Sequence, residues 1–114
     1  MATDKAFVQH VVDQIDPACE VTSRAMFGEF GLWAKGKFIA VIGNNQLYLK
    51  PTGAGRDFVG ETGEVREEPP YDGAKNYLLI EEGIEDGPWL SELIALTEAE
   101  LPAPKKRKKK AKKG

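Results

Sequence analysis

The chain has little of what reaction centres and cross-links are made from. Its 114 residues include one cysteine, Cys19, and one histidine, His10. A lone thiol cannot close an internal disulfide or build a Cys-rich zinc site, which favours a reducing, cytosolic setting. One imidazole without a cysteine cluster leaves no zinc geometry to assemble. It also makes Cys19–His10 the one nucleophile–base pair on offer. His10 sits at the boundary of a helix face, and Cys19 stands between Pro17 and Glu20. The expectation is therefore a structural role for both, no catalytic residue, no metal and no cofactor. Long apolar runs are missing too. The longest, Phe38 to Ile42, is far below the ~20 residues a membrane span needs. The start, Met1 to Lys5, lacks the basic flank and apolar stretch of a signal peptide. These absences predict a soluble cytoplasmic protein with no membrane role.

What is abundant is charge, and it is unevenly placed. Residues 105 to 113 carry eight positive charges and no negative one. Taking these eight from the total of 16 leaves eight basic residues in the rest of the chain against 18 acidic ones, a balance of −10. The overall charge of −2 thus conceals an acidic body and a basic tail. Such asymmetry points to a tail that binds a polyanion, or to one that rests on its own body. The paired acids Glu67-Glu68, Glu81-Glu82 and Glu85-Asp86 lack the ligand spacing of a calcium loop. Gly53-Ala54-Gly55-Arg56 lacks the Lys-Ser/Thr of a phosphate-binding loop.

The hydrophobic pattern divides residues 1–102, read as one domain, into helix, strands and helix. Phe7, Val8, Val11, Val12 and Ile15 recur at helical spacing, with Thr3 or Asp4 as cap and Pro17 as stop. Val21 to Phe27, Phe30 to Ala34, Lys37 to Ile42 and Gln46 to Lys50 read as strands. Lys35-Gly36 and Gly43-Asn44-Asn45 are turns between them. Both faces of Lys37 to Ile42 are apolar, which predicts a central strand covered on both sides. Ala54 to Gly60 reads as a short helix anchored by Phe58 and Val59. Pro69-Pro70 excludes a regular central strand in the polar stretch 65–71. Asn76 to Glu81 is a strand, and Pro88 opens a final helix over 88–100. Short connections favour antiparallel pairing. The expected fold is α+β: an antiparallel sheet of about five strands packed with N- and C-terminal helices. Residues 103–114 are a separate lysine-rich tail, self-repelling and disordered in isolation.

Arg24-x-Met26-Phe27-Gly28-x-Phe30-Gly31-Leu32, followed by Phe38-Ile39-Ala40 and Leu47-Tyr48-Leu49-Lys50, resembles the N-terminal domain of the TfoX/Sxy family over roughly residues 5–100. The second half matches more loosely. The family often carries a Met-Ser-Tyr-like stretch where this chain has Lys75-Asn76-Tyr77-Leu78-Leu79. The resemblance implies a secretion-chaperone-like α+β fold. It also implies a link to bacterial regulators of natural transformation, which act with the cAMP receptor protein at competence promoters. Those regulators carry a second, C-terminal domain; here the lysine tail stands instead. Within the signature, Gly28 and Gly31 read as sites of a bulge or close backbone approach. Met26, Phe27, Phe30 and Trp33 read as core. Arg24 is open to two readings, a ligand for an acidic partner or an ion pair with Glu29 or another carboxylate.

The tail residues Lys105, Lys106, Arg107, Lys108, Lys109, Lys110, Lys112 and Lys113 form a candidate nucleic-acid contact. Such a run binds phosphate backbones by counterion release and reads no sequence. It contains no aromatic residue for stacking. Two functional expectations follow. One is a non-enzymatic regulatory module with a protein partner, such as a transcription regulator, tethered to DNA or RNA by its tail. The other is a chaperone-like or adaptor module that binds a peptide or itself, as a homodimer, with no nucleic-acid role. Trp33 and Tyr48 would then form the partner surface on a sheet covered on one face only.

Overall fold

A computed structural model describes residues 4–26, 29–70 and 73–102, and of Met26 the backbone alone. The elements run α1 (Lys5–Gln14), a 3-10 turn (Pro17–Cys19), β1 (Val21–Met26), β2 (Glu29–Ala34), β3 (Lys37–Gly43) and β4 (Gln46–Leu49). They continue with α2 (Gly53–Thr62), β5 (Glu67–Glu68), β6 (Tyr77–Ile80), a second 3-10 turn (Glu82–Glu85) and α3 (Gly87–Glu100). The strands form one antiparallel sheet in the order β1-β2-β3-β4-β6-β5. The fold is α+β, with six strands in place of about five. The additional strand is the two-residue β5, at the sheet edge beside β6. A polar pair has no periodicity to announce it, and the prolines that follow cannot extend the ladder.

The hairpins are fixed by their turns. Lys35 and Gly36 between β2 and β3 have φ of 52° and 82°, and Asn44 and Asn45 between β3 and β4 have 54° and 59°. Two consecutive left-handed residues match the twist of the flanking strands. The helices gather on one face of the sheet around α3. The core there comprises Val8 and Val11 of α1 with Ile15 just after it, Leu32, Ala40, Ile42, Leu47, Leu49, Leu78 and Ile80 of the sheet, and Leu90, Leu93 and Ile94 of α3. Phe58 and Val59 anchor α2 to this core, as the sequence predicts. Burying each such side chain is worth about 1.5–3 kcal/mol. Asp86 starts α3 by accepting a hydrogen bond from Trp89 N at 3.2 Å, the cap role short polar side chains favour.

β3 departs from simple alternation. Leu32 pairs with Ala40, but Trp33 pairs with Phe38, leaving Ile39 as an extra residue. The bulge turns Ile39 into the core beside Ala40, while Phe38 and Val41 remain on the opposite face. The strand is central and buried on both faces, as expected: Val41, on the face away from the helices, is only 2% exposed. The helices cover one of these faces. The register corrects the placement of Trp33, which faces away from the helices. Phe30 does pack against the core. Phe27, Gly28 and the side chain of Met26 lie outside the described residues.

Candidate binding face

The helix-free face of the sheet is ordered in rows by the strand register. One row runs Arg24, Gly31, Val41, Tyr48, Leu79 across five strands. Val41, Tyr48 and Leu79 are only 2%, 6% and 6% exposed, although they stand apart from the helix-side core. The neighbouring row begins Thr22, Trp33, Phe38, and Lys50 continues it from the end of β4.

The two rows meet in a band of rings and cations. Trp33 and Phe38 have ring centroids 5.2 Å apart at 59°. The Arg24 guanidinium lies 5.4 Å from the Trp33 ring centroid, and Lys50 Nζ lies 5.6 Å from that of Phe38. Both are within cation–π range. Gly31 makes this packing feasible. A Cβ there would stand 2.8 Å from Trp33 Cζ3 and 3.1 Å from Phe38 Cε1, so the signature glycine is a place where rings lie against bare backbone. Among the described residues Arg24 forms no ion pair with a carboxylate; it meets Trp33 rather than Glu29. The bulge at Ile39, which no sequence signal marks, is what keeps Phe38 on this face.

The acids lie toward the other end. Glu29 packs on Gly43. Burial, and then Glu68, Glu29 and Glu81, push the Tyr48 hydroxyl above its ordinary range; the hydroxyl donates to Gln46 Oε1 at 2.8 Å. Arg66 engages Glu81 and, at 3.8 Å, Glu68, and Arg56 holds Glu67 at 2.7 Å. The acidic pairs thus serve ion pairing and capping, and no group of three potential ligands that could hold a metal occurs among the described residues.

His10 and Cys19 take separate structural places. His10 Nε2 is 3.0 Å from Glu85 Oε2 on an exposed surface. Cys19 is half-buried and its Sγ is 3.7 Å from Ser91 O, in a groove of about 790 Å³ lined by Asp13, Asp16, Ser91, Glu92 and Glu98. Burial and then Asp16 raise its thiol pKa, the opposite of what a nucleophile needs. Iodoacetamide is accordingly expected to modify Cys19 more slowly than free cysteine at pH 8; faster modification would contradict the reading.

The glycine-rich segment Gly53-Ala54-Gly55 opens α2, and its backbone donors are occupied by the protein itself. Thr52 Oγ1 accepts from Gly55 N at 3.0 Å. The Glu100 carboxylate, at the end of α3, accepts from Gly53 N at 3.1 Å and Ala54 N at 2.8 Å. These bonds hold its pKa below the usual carboxylate range. A depressed pKa gives stability that is present above the unfolded pKa and lost as pH falls through the folded one. Glu100→Gln is therefore expected to lower Tm at pH 7, with the difference from wild type shrinking as the pH falls through the carboxylate range. A difference constant down to pH 3 would contradict this.

The eight tail cations, Lys105 to Lys113, lie outside the described residues. Of the signature residues, the structure brings Arg24 and Gly31 together with Trp33.

An open antiparallel sheet with its helices on one face, and an aromatic–cationic band on the other, describes an α+β scaffold. The TfoX N-terminal domain model matches residues 13–101, and the chain belongs to that family, which makes it a competence-regulator-like module. It is similar to the "Uncharacterized 12.7 kDa protein in trpE 5'region" of Spirochaeta aurantia, with 42% identity over 112 residues, covering 98% of this chain and 95% of that protein. No described helix is long and apolar enough to cross a membrane.

Proposed function

We propose that this chain is a non-enzymatic regulatory module. Its body contacts a protein partner of the transcription-regulator type, and its lysine run holds the assembly on DNA or RNA without reading sequence. The observation that carries this reading is the family match over residues 13–101, joined to a run of eight cations on a body of net charge −10. Counterion release makes such a run a general phosphate ligand. The test is a low-salt duplex gel shift with the full chain and with a chain lacking residues 105–114. The shift is expected to disappear with the tail; an equal shift by both would overturn the tail's role.

A second reading is favoured by one feature of the sheet. β1 is an edge strand, and residues 22–25 on it are exposed. An open edge of this kind accepts an added strand from a peptide or a second copy. This is the adaptor reading, homodimeric or peptide-binding. Concentration-dependent dimerisation that survives removal of the tail, together with absent duplex binding, would favour it over the first.

A further inference from the structure

The band on the helix-free face has a composition of its own. Two rings, Trp33 and Phe38, stand between two cations, Arg24 and Lys50. Arg24 is exposed, and Trp33, Phe38 and Lys50 are partly exposed. A second copy is a poor match for this surface. Among the described residues the one exposed large hydrophobic is Val65, at 39%, so the band lacks the broad apolar patch of a stable self-interface. A duplex is also a poor match, because its bases are stacked inside and offer no faces to a flat sheet. Single strands expose their bases, which stack on aromatic rings or on arginine guanidinium planes, while cations track the phosphates. Charge narrows the path. Glu29 and Glu81 lie on the far side of Tyr48 from the rings, in the row that continues through Gly43 and Gln46. A phosphate chain is repelled there, and again by Glu68, which pairs with Tyr77 at the β5 end of the ring row, so it is confined to the stretch of Arg24, Trp33, Phe38 and Lys50.

We propose that this band is a binding site for single-stranded nucleic acid, in which bases stack on the Trp33–Phe38 pair and the Arg24 guanidinium, and phosphates lie beside Arg24 and Lys50. The proposal deepens the nucleic-acid part of the proposed function by naming the strand form and the residues of the body that take it. The tail supplies a charge-driven hold on any polyanion. The sheet supplies the preference for unpaired bases.

The experiment is fluorescence anisotropy of labelled 15-nucleotide oligo(dT) and of a duplex of equal length, with the full chain at about 0.5 M salt, where the tail's charge-driven contribution is strongly suppressed. The expected result is tighter binding of the single strand. Arg24→Ala, Lys50→Ala and Trp33→Ala each weaken it, and Trp33→Phe largely restores it. Loss of one stacked base corresponds to about a 5- to 150-fold drop in affinity. Thermal melts accompany each variant; if Trp33→Ala fails to fold, the Arg24 and Lys50 variants carry the test. Equal affinity for both strand forms overturns the proposal, as do unchanged affinities in the Arg24 and Lys50 variants. Displacement of oligo(dT) by poly-glutamate at equal charge would assign the face to an acidic polypeptide, and dimerisation abolished by Trp33→Ala would assign it to a second copy. Either also overturns it. A full chain with its eight tail cations changed to glutamine separates the two readings. It loses low-salt duplex binding if the tail reading holds, and keeps the single-strand preference if the face reading holds.

Discussion

Leu93→Ala is expected to lower the unfolding free energy by about 2–5 kcal/mol, the range for emptying a fully packed leucine site. Leu93 is 0% exposed and belongs to the core shared by α1, α3 and the sheet. It also sets the α2–α3 contact. A Cβ on Gly55 would lie 3.5 Å from Leu93 Cδ1, and Thr97 Oγ1 donates to Leu93 O at 2.8 Å. The cavity therefore opens where two helices meet, and Glu100, one turn beyond Thr97, caps α2 through the same arrangement. Urea unfolding checks the prediction. A loss below about 1 kcal/mol would mean that the site collapses around the smaller side chain. An equal loss from the exposed Arg24→Ala would break the division of labour between the two faces.

The second large effect concerns nucleic acid. Loss of the eight cations of residues 105–113 is expected to flatten the salt dependence of duplex binding. If all eight engage phosphates, the slope of log affinity against log salt approaches roughly −7, and fewer contacts give proportionately less. Deleting residues 105–114 should bring the slope close to zero, with affinity at low salt falling by several orders of magnitude. The competing arrangement, a tail lying on the body's own carboxylates, predicts otherwise. The groove between α1 and α3 carries Asp13, Asp16, Glu92 and Glu98 beside Lys35. A tail held there would leave duplex binding weak in the full chain and its deletion without effect. Anisotropy titrations at several salt concentrations separate the two.

Much of the fold is legible in the sequence because each element carries its own local signal. The periodic Val8, Val11 and Ile15, the turn pairs Lys35-Gly36 and Asn44-Asn45, and Pro88 at the head of α3 are short-range features with direct physical meaning. Two things are not legible. β5 owes its existence to backbone pairing with β6, and Glu67-Glu68 has no pattern that foretells it. The bulge at Ile39 shifts register within a run that is apolar at every position, so alternation cannot say which residue is doubled. That one residue decides the functional surface. Without it Phe38 would point with Ala40 and Ile42 into the core, and the band beside Trp33 would not form. The sequence also places Trp33 among the core residues, whereas alternation with Leu32 and Ala34 along β2 sets it on the face away from the helices. Arg24 is legible as a position of interest, but its partner is an indole rather than a carboxylate, a choice made by the bare backbone of Gly31.

One face of the sheet builds the helix-side core, and the other is the proposed binding face. Amide chemical-shift mapping of the full chain during titration with oligo(dT) tests it most directly. The predicted result is a set of shifts confined to the lysine tail and to the strands around Arg24, Trp33, Phe38 and Lys50, with α1 and α3 unmoved. Shifts centred on the α1–α3 groove, or confined to the tail with the sheet silent, would contradict it.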